Sequence, residues 1–525
     1  MIFSFQNISF AQESPQKIIC KVLDNISKKP VIYATVMLKK INRGTHADVK
    51  GKFEIPIKYK QNGTIRISSI GYQTKEIQLS KLKINSTNII YLNISSSKLD
   101  EIVVKTPKRK KRILARTVVR KAIENILVNY PTTPHSYIGY YRDYQQPADE
   151  SYQKSIKSEQ KIEYLNVNEA IIESFDSGFK TDKLESKNNQ SLLYKYSSNN
   201  NFIRDSTLTI PYDNKGKKYS KSVFITPLGG NELNILDLTN TVRNFDKMSF
   251  SFANVFKNDF LKNHFFKIIE IVYLDDKALY KIYFASIKEK TSFEYSSFGH
   301  IYISKNDYAI YKLNYNLYYK RIKTPQYSVT IEYSSKNDKM YLNYISFNNF
   351  FEASNGNYFR IDKTTFIPKK KAFKISFNKA ADINTLKPYR RNFKIYFKNK
   401  KLKVTNITSY DNDKRTILVY VDKASLGKIN FKNELNNSNF GKYFSFKIEN
   451  IKDTNGYEID KRLSLKMNQY REFFVQEIFE TKNLPKEKKI NFIDKSLPLS
   501  KSFVNPLKLE NNYWMNTPLK SRKND

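Results

Sequence analysis

Apolar and polar residues alternate along much of this 525-residue chain. In residues 311–317 and again in residues 327–333, every second side chain is aromatic or aliphatic, and the intervening ones are polar. Such alternation puts one face of a strand in a core and the other in water. A turn at residues 305–307 follows another apolar run, which predicts a hairpin. The pattern predicts a large antiparallel β domain over residues 132–370.

One stretch, residues 113–131, has a different period. Leu114, Val118, Ala122 and Ile126 recur at four-residue steps and form an apolar stripe. A proline closes the stretch, which is typical of a helix boundary. The stretch therefore predicts one amphipathic helix.

The strand predicted after this helix contains an adjacent basic and acidic residue, Arg142 and Asp143. These two residues have two interpretations. They form a ligand site, or their charges pair with a neighbouring strand. The second interpretation is favoured, because opposite charges facing each other across strands are a common structural feature of sheets.

Residues 16–95 consist of short β-branched and aromatic runs separated by Gly, Asn and Asp. Runs of this length and spacing favour a small β-sandwich. Gly51 suits a turn with positive φ, and Asp48 can accept backbone N–H groups in the same turn. Phe53 belongs to an alternation that one buried face requires.

The same stretch resembles the carboxypeptidase-like regulatory domain, a transthyretin-like sandwich. The residues that carry the resemblance are Gly44, Thr45, Asp48, Gly51, Phe53, Gly71 and Tyr72. The resemblance implies an accessory module without catalytic activity, in which these residues build turns and core. Cys20 stands where this family commonly has Gly, and we expect it to pack as a small hydrophobe.

A second resemblance follows the sandwich. The residues Asp100, Glu101, Ile102, Val103 and Val104 are similar to the acidic, then β-branched, segment that follows this domain in TonB-dependent outer-membrane receptors. One interpretation is a segment that adds a strand to the sheet of a partner. The other is a last strand followed by a linker over residues 96–112, and so short a run favours the linker.

Residues 371–460 resemble a bacterial Ig-like domain of the S-layer type. The resemblance is carried by runs at 373–377 and 416–421 and by a turn at 452–456. It implies a spacer or adhesion module. Residues 461–525 are predicted to be a tail that packs on the β domain, with the chain's single tryptophan, Trp514, as its anchor.

The predicted fold class is therefore mainly β. It combines an N-terminal transthyretin-like sandwich, one amphipathic helix, a large antiparallel domain and an Ig-like sandwich. The large domain has three possible forms: an open sheet, a carrier-like sheet around an apolar cavity, or a membrane barrel.

The net charge of +41 is supplied mostly by Lys and is spread along the whole chain. Nucleic-acid binding would favour basic residues clustered on one element with Arg prominent, so we expect no nucleic-acid partner. An envelope protein or an anionic envelope surface is the expected partner, because charge of this size attracts polyanions. A single Cys excludes an intrachain disulfide.

The first 15 residues have two interpretations, the remnant of a signal peptide or a disordered start. Ser9-Phe10-Ala11 ahead of Gln12 fits a small-x-small cleavage site. No later run approaches the roughly 18 apolar residues of a spanning helix. We expect an exported protein of the periplasm or outer membrane of a Gram-negative bacterium.

The sequence contains four His residues, none at the spacing of a helical zinc site. No nucleophile elbow and no phosphate loop occur. We therefore predict no catalytic, cofactor-binding or metal residues. The predicted function is a non-catalytic cell-envelope binding or scaffold protein. The alternatives are an outer-membrane β-barrel or TonB-linked transport component, and a hydrolase of unknown type.

Overall fold

A computed structural model describes most of the chain. The described residues are 17–41, 43–61, 63–84, 86–95, 113–156, 161–209, 217–218, 224–225, 232–288, 295–319, 323–354, 358–411, 413–427, 443–461, 464–486, 490–495, 497–506, 513–515 and 519. They form a mainly β protein with several antiparallel sheets and short helices, which confirms the predicted fold class. No helix in these ranges is long and apolar enough to cross a bilayer.

Twenty-six strands are described. In chain order they are β1 (Lys17–Asp24), β2 (Thr35–Leu38), β3 (Arg43–His46), β4 (Lys52–Pro56), β5 (Thr64–Ser68), β6 (Lys75–Gln78), β7 (Asn88–Leu92), β8 (His135–Pro147), β9 (Leu165–Asp176), β10 (Ser191–Ser198), β11 (Lys217–Lys218), β12 (Phe224–Ile225), β13 (His264–Leu274), β14 (Lys277–Ser286), β15 (Tyr295–Ser304), β16 (Ile310–Tyr319), β17 (Tyr327–Lys336), β18 (Lys339–Ser354), β19 (Ile361–Ile367), β20 (Ala372–Phe377), β21 (Phe393–Phe397), β22 (Lys400–Leu402), β23 (Val404–Tyr410), β24 (Asp413–Val421), β25 (Phe444–Ile448) and β26 (Ser464–Phe479).

The helices of the described residues are short. They are α1 (Ala115–Glu124), α2 (Ile126–Asn129), α3 (Ser151–Ile156), α4 (Glu232–Thr239), α5 (Phe256–Asn263), α6 (Tyr389–Asn392) and α7 (Lys423–Leu426). The single helix predicted over residues 113–131 is thus found as α1 and α2, which meet at Asn125.

The N-terminal unit is a sandwich of two sheets with the orders β4-β1-β7 and β3-β2-β5-β6. Along β1 every second residue is buried, as the alternation of its apolar side chains requires. Cys20 lies in the resulting core, together with Phe53 and Ile55. The sandwich predicted for residues 16–95 is therefore present.

The central unit is a ten-stranded antiparallel sheet with the order β10-β9-β8-β26-β18-β17-β16-β15-β14-β13. Strands β13 to β18 follow one another as a meander, and the predicted turn at residues 305–307 joins β15 to β16. Among the described strands the sheet is open, with β10 and β13 as its edges.

The middle of this sheet comes from the segment predicted as a tail. Strand β26 pairs with β18 on one side and with β8 on the other. The boundary predicted at residue 461 is therefore wrong for this strand, which belongs to the sheet itself. Its buried residues, among them Phe473, Phe474 and Glu472, lie on both faces of a central strand, a pattern that a local period does not identify.

Trp514 also lies elsewhere than predicted. Its ring packs in the core of the N-terminal sandwich, 5.9 Å from the ring of Tyr59, and not on the sheet. Its backbone is held by the side chain of Gln476 in β26, which donates to the Trp514 carbonyl at 2.7 Å. Trp514 thus connects the sandwich to the centre of the sheet.

One face of the sheet is covered by helices. Val118, Val119 and Ile123 of α1 pack with inward-facing residues of β13 to β17, such as Ile301 and Leu313, in one large apolar core. The two small cavities found beside α4 and β8 measure about 20 and 10 Å³, which is room for little more than a water molecule. This face is a packed core.

The second sandwich is inserted into the large sheet. Its sheets have the orders β19-β20-β24-β23 and β22-β21-β25. The chain leaves β18 at Ser354 and returns to β26 at Ser464, and these two residues are paired neighbours. We call residues 358–461 the inserted module. It begins earlier than the predicted residue 371, because β19 pairs with β20 and not with the large sheet.

Candidate functional site

The N-terminal sandwich is docked on the face of the large sheet that carries no helices. Tyr33 of the sandwich stacks on Tyr344 of β18, with ring centroids 4.8 Å apart. His46 of β3 lies 5.7 Å from the Tyr344 ring and 5.6 Å from the ring of Phe474 in β26. Burial lowers the pKa of His46 to about 3, so this imidazole is neutral.

Ion pairs flank this aromatic contact. Arg43 Nε donates to Glu477 Oε2 at 2.9 Å, and Lys50 Nζ lies 2.5 Å from Glu163 Oε2. In each pair the cation belongs to the sandwich and the carboxylate to the central unit. Together with the stacked rings, these pairs fix the position of the sandwich on the sheet.

A buried ion pair lies beneath the docked sandwich. Arg142 of β8 and Glu472 of β26 are opposite each other, and Arg142 Nη2 donates to Glu472 Oε2 at 2.6 Å. Burial opposes the charge of Arg142, but the carboxylate of Glu472 overcomes this and keeps the pKa of Arg142 well above its ordinary value. The Tyr344 hydroxyl also donates to Glu472, at 3.1 Å. The predicted cross-strand pairing of Arg142 is thus confirmed, with Glu472 as its partner.

Beside this contact the sandwich and the sheet leave a cleft of about 420 Å³. One wall is formed by β2, β5 and the turn after β5, and the other by β14 to β18 and β26. The lining includes the hydrogen-bonding side chains of Ser68, Ser69, Lys312, Glu332 and Asn343. Met37, Ile70 and Val475 add apolar surface.

The sheet wall of the cleft contains paired charges. Lys312 and Glu332 face each other across β16 and β17, with Lys312 Nζ 2.5 Å from Glu332 Oε1. Burial disfavours the ammonium of Lys312, yet Glu332 raises its pKa above the ordinary value. Nearby, Lys277 Nζ donates to the Tyr311 hydroxyl at 3.0 Å, and this hydrogen bond raises the pKa of Lys277. Both lysines are therefore charged.

The mouth of the cleft is bridged from the sandwich to the sheet. Arg66 Nη2 lies 2.6 Å from Asp275 Oδ2, and the hydroxyl of Thr74 also bonds to Asp275. Gly71, with φ near +90°, donates its N–H to the Tyr273 carbonyl at 2.8 Å. These contacts place the cleft between two units that touch at several points around it.

The residues that carry the family resemblance lie in the sandwich and do not form one site. Asp48 Oδ1 accepts from the backbone N–H groups of Lys50 and Lys52, both at 2.8 Å, in the turn where Gly51 has φ of +73°. Phe53 is fully buried in the core.

The remaining members of this set lie at the periphery of the sandwich core. Gly44 and Thr45 are buried in β3, next to the docked face. Tyr72 bridges to Ile94 at the sheet end beside Gly71. Turn geometry, core packing and docking therefore account for these positions. Residues 100–104, proposed as a partner-strand segment, lie outside the described residues.

Groups suited to metal or nucleophilic chemistry do not converge in the described ranges. No three His, Cys, Asp or Glu side chains there are arranged to hold a metal ion. Burial raises the pKa of the Cys20 thiol to about 12, which suppresses its thiolate. His264 is buried among aromatic rings, and burial lowers its pKa to about 4.

The cleft residues were not identified as a group from the sequence. Lys312 and Glu332 are the polar members of two alternating strands, and such residues ordinarily face water. Ser68 is the last residue of β5, and Ser69 lies in the turn that follows it. No local pattern indicates that these two polar faces are opposite each other.

Comparison with known families identifies the N-terminal unit. Residues 19–104 match the family model of the CarboxypepD_reg-like domain, which confirms the resemblance for this part of the chain. A search of curated proteins finds no match.

Two solved structures show a remote likeness. One is a LolA superfamily protein from Nitrosomonas europaea, with 10% identity and a TM-score of 0.18. The other is a DUF1329 family protein from Desulfovibrio piger, with 9% identity and a TM-score of 0.20. Each alignment covers 45% of this chain and 86% of the other chain. Likeness at this level supports no inference about function.

Proposed function

We propose that this protein is a non-catalytic cell-envelope binding protein, exported to the periplasm or outer membrane, which holds a ligand between its CarboxypepD_reg-like domain and its large sheet. The observation that carries the proposal is the cleft of about 420 Å³ between these two units. Its volume is in the range of roughly 300–1,000 Å³ that ligand pockets occupy, and such pockets favour domain interfaces.

The chemistry of the walls favours a polar ligand. Ser68, Ser69 and Asn343 offer hydroxyl and amide groups, and Lys312 with Glu332 offers both signs of charge. A molecule with several hydroxyl or amide groups, of the size of a small oligosaccharide or a short peptide, would satisfy these groups by hydrogen bonds. A purely apolar ligand would exclude water from the Ser68 and Ser69 hydroxyls, at a cost of about 1–3 kcal/mol for each hydroxyl left without a hydrogen bond.

The absence of catalysis is part of the proposal. The described residues that line the cleft include no His and no Cys, and its carboxylates and ammonium groups are engaged in pairs. These paired groups therefore do not offer a general base to a substrate. Binding without conversion is the activity that this arrangement favours.

Native mass spectrometry of the protein isolated from the cell envelope tests the binding function. We expect a bound species of a few hundred daltons in the unaltered protein and its loss in Ser68→Trp, whose indole would occupy the cleft. Thr408→Trp, on an exposed strand of the inserted module, is the matched control and should keep the species. Equal loading in both variants, or an unloaded native protein, contradicts the proposal. Conversion of the species during incubation contradicts the non-catalytic assignment.

Fractionation tests the location separately. We expect the protein in the periplasmic or membrane fraction, and release from membranes by carbonate or high salt. A protein found in the cytosol would refute the envelope assignment while leaving ligand binding in the cleft unaffected.

A further inference from the structure

The inserted module carries more than its share of positive charge. Residues 358–461 contain 24 Lys and Arg residues but only 10 Asp and Glu residues. The whole chain has a net charge of +41, so about a third of it lies on about a fifth of the sequence. Concentrated charge of one sign attracts surfaces of the opposite sign.

Five lysines of the module meet at one of its ends. We call them the distal lysine cluster: Lys369, Lys370, Lys371, Lys403 and Lys423. The first three form the turn between β19 and β20. Backbone hydrogen bonds bring the others to them, because the carbonyl of Lys371 accepts from Val421 N–H at 3.3 Å and that of Lys403 accepts from Asp422 N–H at 2.9 Å. Lys423 follows directly in the chain.

This end is remote from the point of insertion. The module joins the large sheet at Ser354 and Ser464, and β19 starts near that junction, where Asn378 donates to the Arg360 carbonyl. The strand then runs seven residues away from the junction to the lysine turn. At about 3.3 Å per residue, the cluster lies roughly 20 Å from the start of β19.

The cluster is available to a partner. All five lysines are exposed. Within the described part of the module, the ion pairs to carboxylates involve other cations, for example Lys394 and Lys447 with Glu449. No described ion pair joins a carboxylate to a member of the cluster.

We propose that the distal lysine cluster docks on the anionic headgroups of a phospholipid bilayer, so that the inserted module positions the protein at a membrane surface. Exposed lysines placed at one end of a compact module can contact a flat surface at the same time, and each lysine near an anionic bilayer contributes about fivefold to binding. Nucleic acid would favour Arg and several stacking aromatic residues at such a site, whereas the cations of this cluster are all Lys and one ring, that of Tyr410, lies 5.6 Å from Lys370 Nζ. The proposal is independent of the cleft.

Sedimentation with vesicles tests this proposal. The full chain is mixed with vesicles of phosphatidylcholine alone or with 30% phosphatidylglycerol, at roughly 50, 150 and 500 mM salt. We expect binding only to the anionic vesicles, decreasing as salt rises. The variant Lys369→Gln/Lys370→Gln/Lys403→Gln should bind roughly a hundredfold more weakly.

A second triple variant is the matched control. Lys387→Gln/Lys414→Gln/Lys452→Gln removes the same charge from exposed positions at the junction end, where Ala381 and Asp382 donate to the carbonyls of Lys414 and Lys452. It should keep most of the binding. Equal loss in both triples would mean that only total charge matters and would overturn the proposal. Failure to bind anionic vesicles at low salt, or stronger binding to a soluble anionic polysaccharide that displaces them, would overturn it as well.

Discussion

The two faces of the large sheet are covered in different ways. On one face α1 and the neighbouring helices complete an apolar core in which the cavities found have room for little more than a water molecule. On the other face the N-terminal sandwich rests on stacked rings and ion pairs, and a cleft of about 420 Å³ remains beside them.

The difference shows how the polarity of two surfaces decides whether they pack without space between them. Apolar side chains gain free energy from every contact and fill space without directional demands. Charged and hydroxyl groups need partners in fixed directions, so two polar faces meet at a few satisfied contacts and leave space between them. The binding site is proposed on the second face for this reason.

The largest expected effect is the loss of the buried pair beneath the sandwich. Arg142→Met leaves Glu472 buried without its cation, and we expect a loss of about 3–5 kcal/mol in the free energy of unfolding. The double variant Arg142→Met/Glu472→Leu should recover most of this, because an apolar pair of similar volume does not leave a buried charge. Urea unfolding followed by tryptophan fluorescence and circular dichroism measures both. If Arg142→Met were as stable as the unaltered protein, the Arg142–Glu472 pair would not be isolated from water.

A comparable loss of stability is expected where Trp514 enters the core of the N-terminal sandwich. Trp514→Ala should destabilise the N-terminal unit by about 3–5 kcal/mol, because the buried indole leaves a cavity. Hydrogen exchange should rise in β1 and β4 and remain unchanged in β16 and β17. If exchange rises equally in the large sheet, Trp514 is not a local anchor of the sandwich.

The pH dependence of stability provides a third test, at Asp176 in the large sheet. Burial disfavours the charge of Asp176, but Lys183 and Arg243 overcome this and hold its pKa well below its ordinary value. A depressed pKa means that the stabilisation is complete above about pH 4 and is lost as the pH falls towards the folded-state value. The stability difference between the unaltered protein and Asp176→Asn should therefore shrink below pH 4. A difference that is constant from pH 7 to pH 2 would contradict the shifted pKa.

The smallest expected effects on stability compare the two faces of the large sheet directly. Val329→Phe adds volume to the packed core and should cost about 1–3 kcal/mol. Ser68→Phe adds a similar ring to the cleft, where space exists, and should change stability by less than about 0.5 kcal/mol. Melting temperatures measure both. Similar losses in the two variants would mean that the cleft is closed in solution.

Much of the local structure could be predicted from residue patterns. The alternation in residues 311–317 and 327–333 predicts β16 and β17, and the turn between β15 and β16 forms where the polar residues 305–307 interrupt it. The turn at Asp48 and Gly51 has the predicted geometry. These features depend on neighbours within a few residues, which is the range over which a pattern in the chain is informative.

The site itself depends on contacts between distant parts of the chain. Arg142 meets Glu472, and Tyr33 meets Tyr344, although hundreds of residues separate the partners. Half of the 16 residues in 464–479 are apolar and the others are polar or charged, and such a run does not indicate which strands will flank it.

The amino-acid sequence by itself determined the strands with a clear alternation, the N-terminal sandwich and the absence of recognisable catalytic motifs, because backbone propensity, turn chemistry and side-chain period act locally. Only the tertiary structure decided that β26 closes the gap between β8 and β18, that the second sandwich is an insertion, and that two polar faces enclose a cleft. The physical reason is that a polar strand face is compatible with water or with another polar surface, and the choice is made by the packing of whole units.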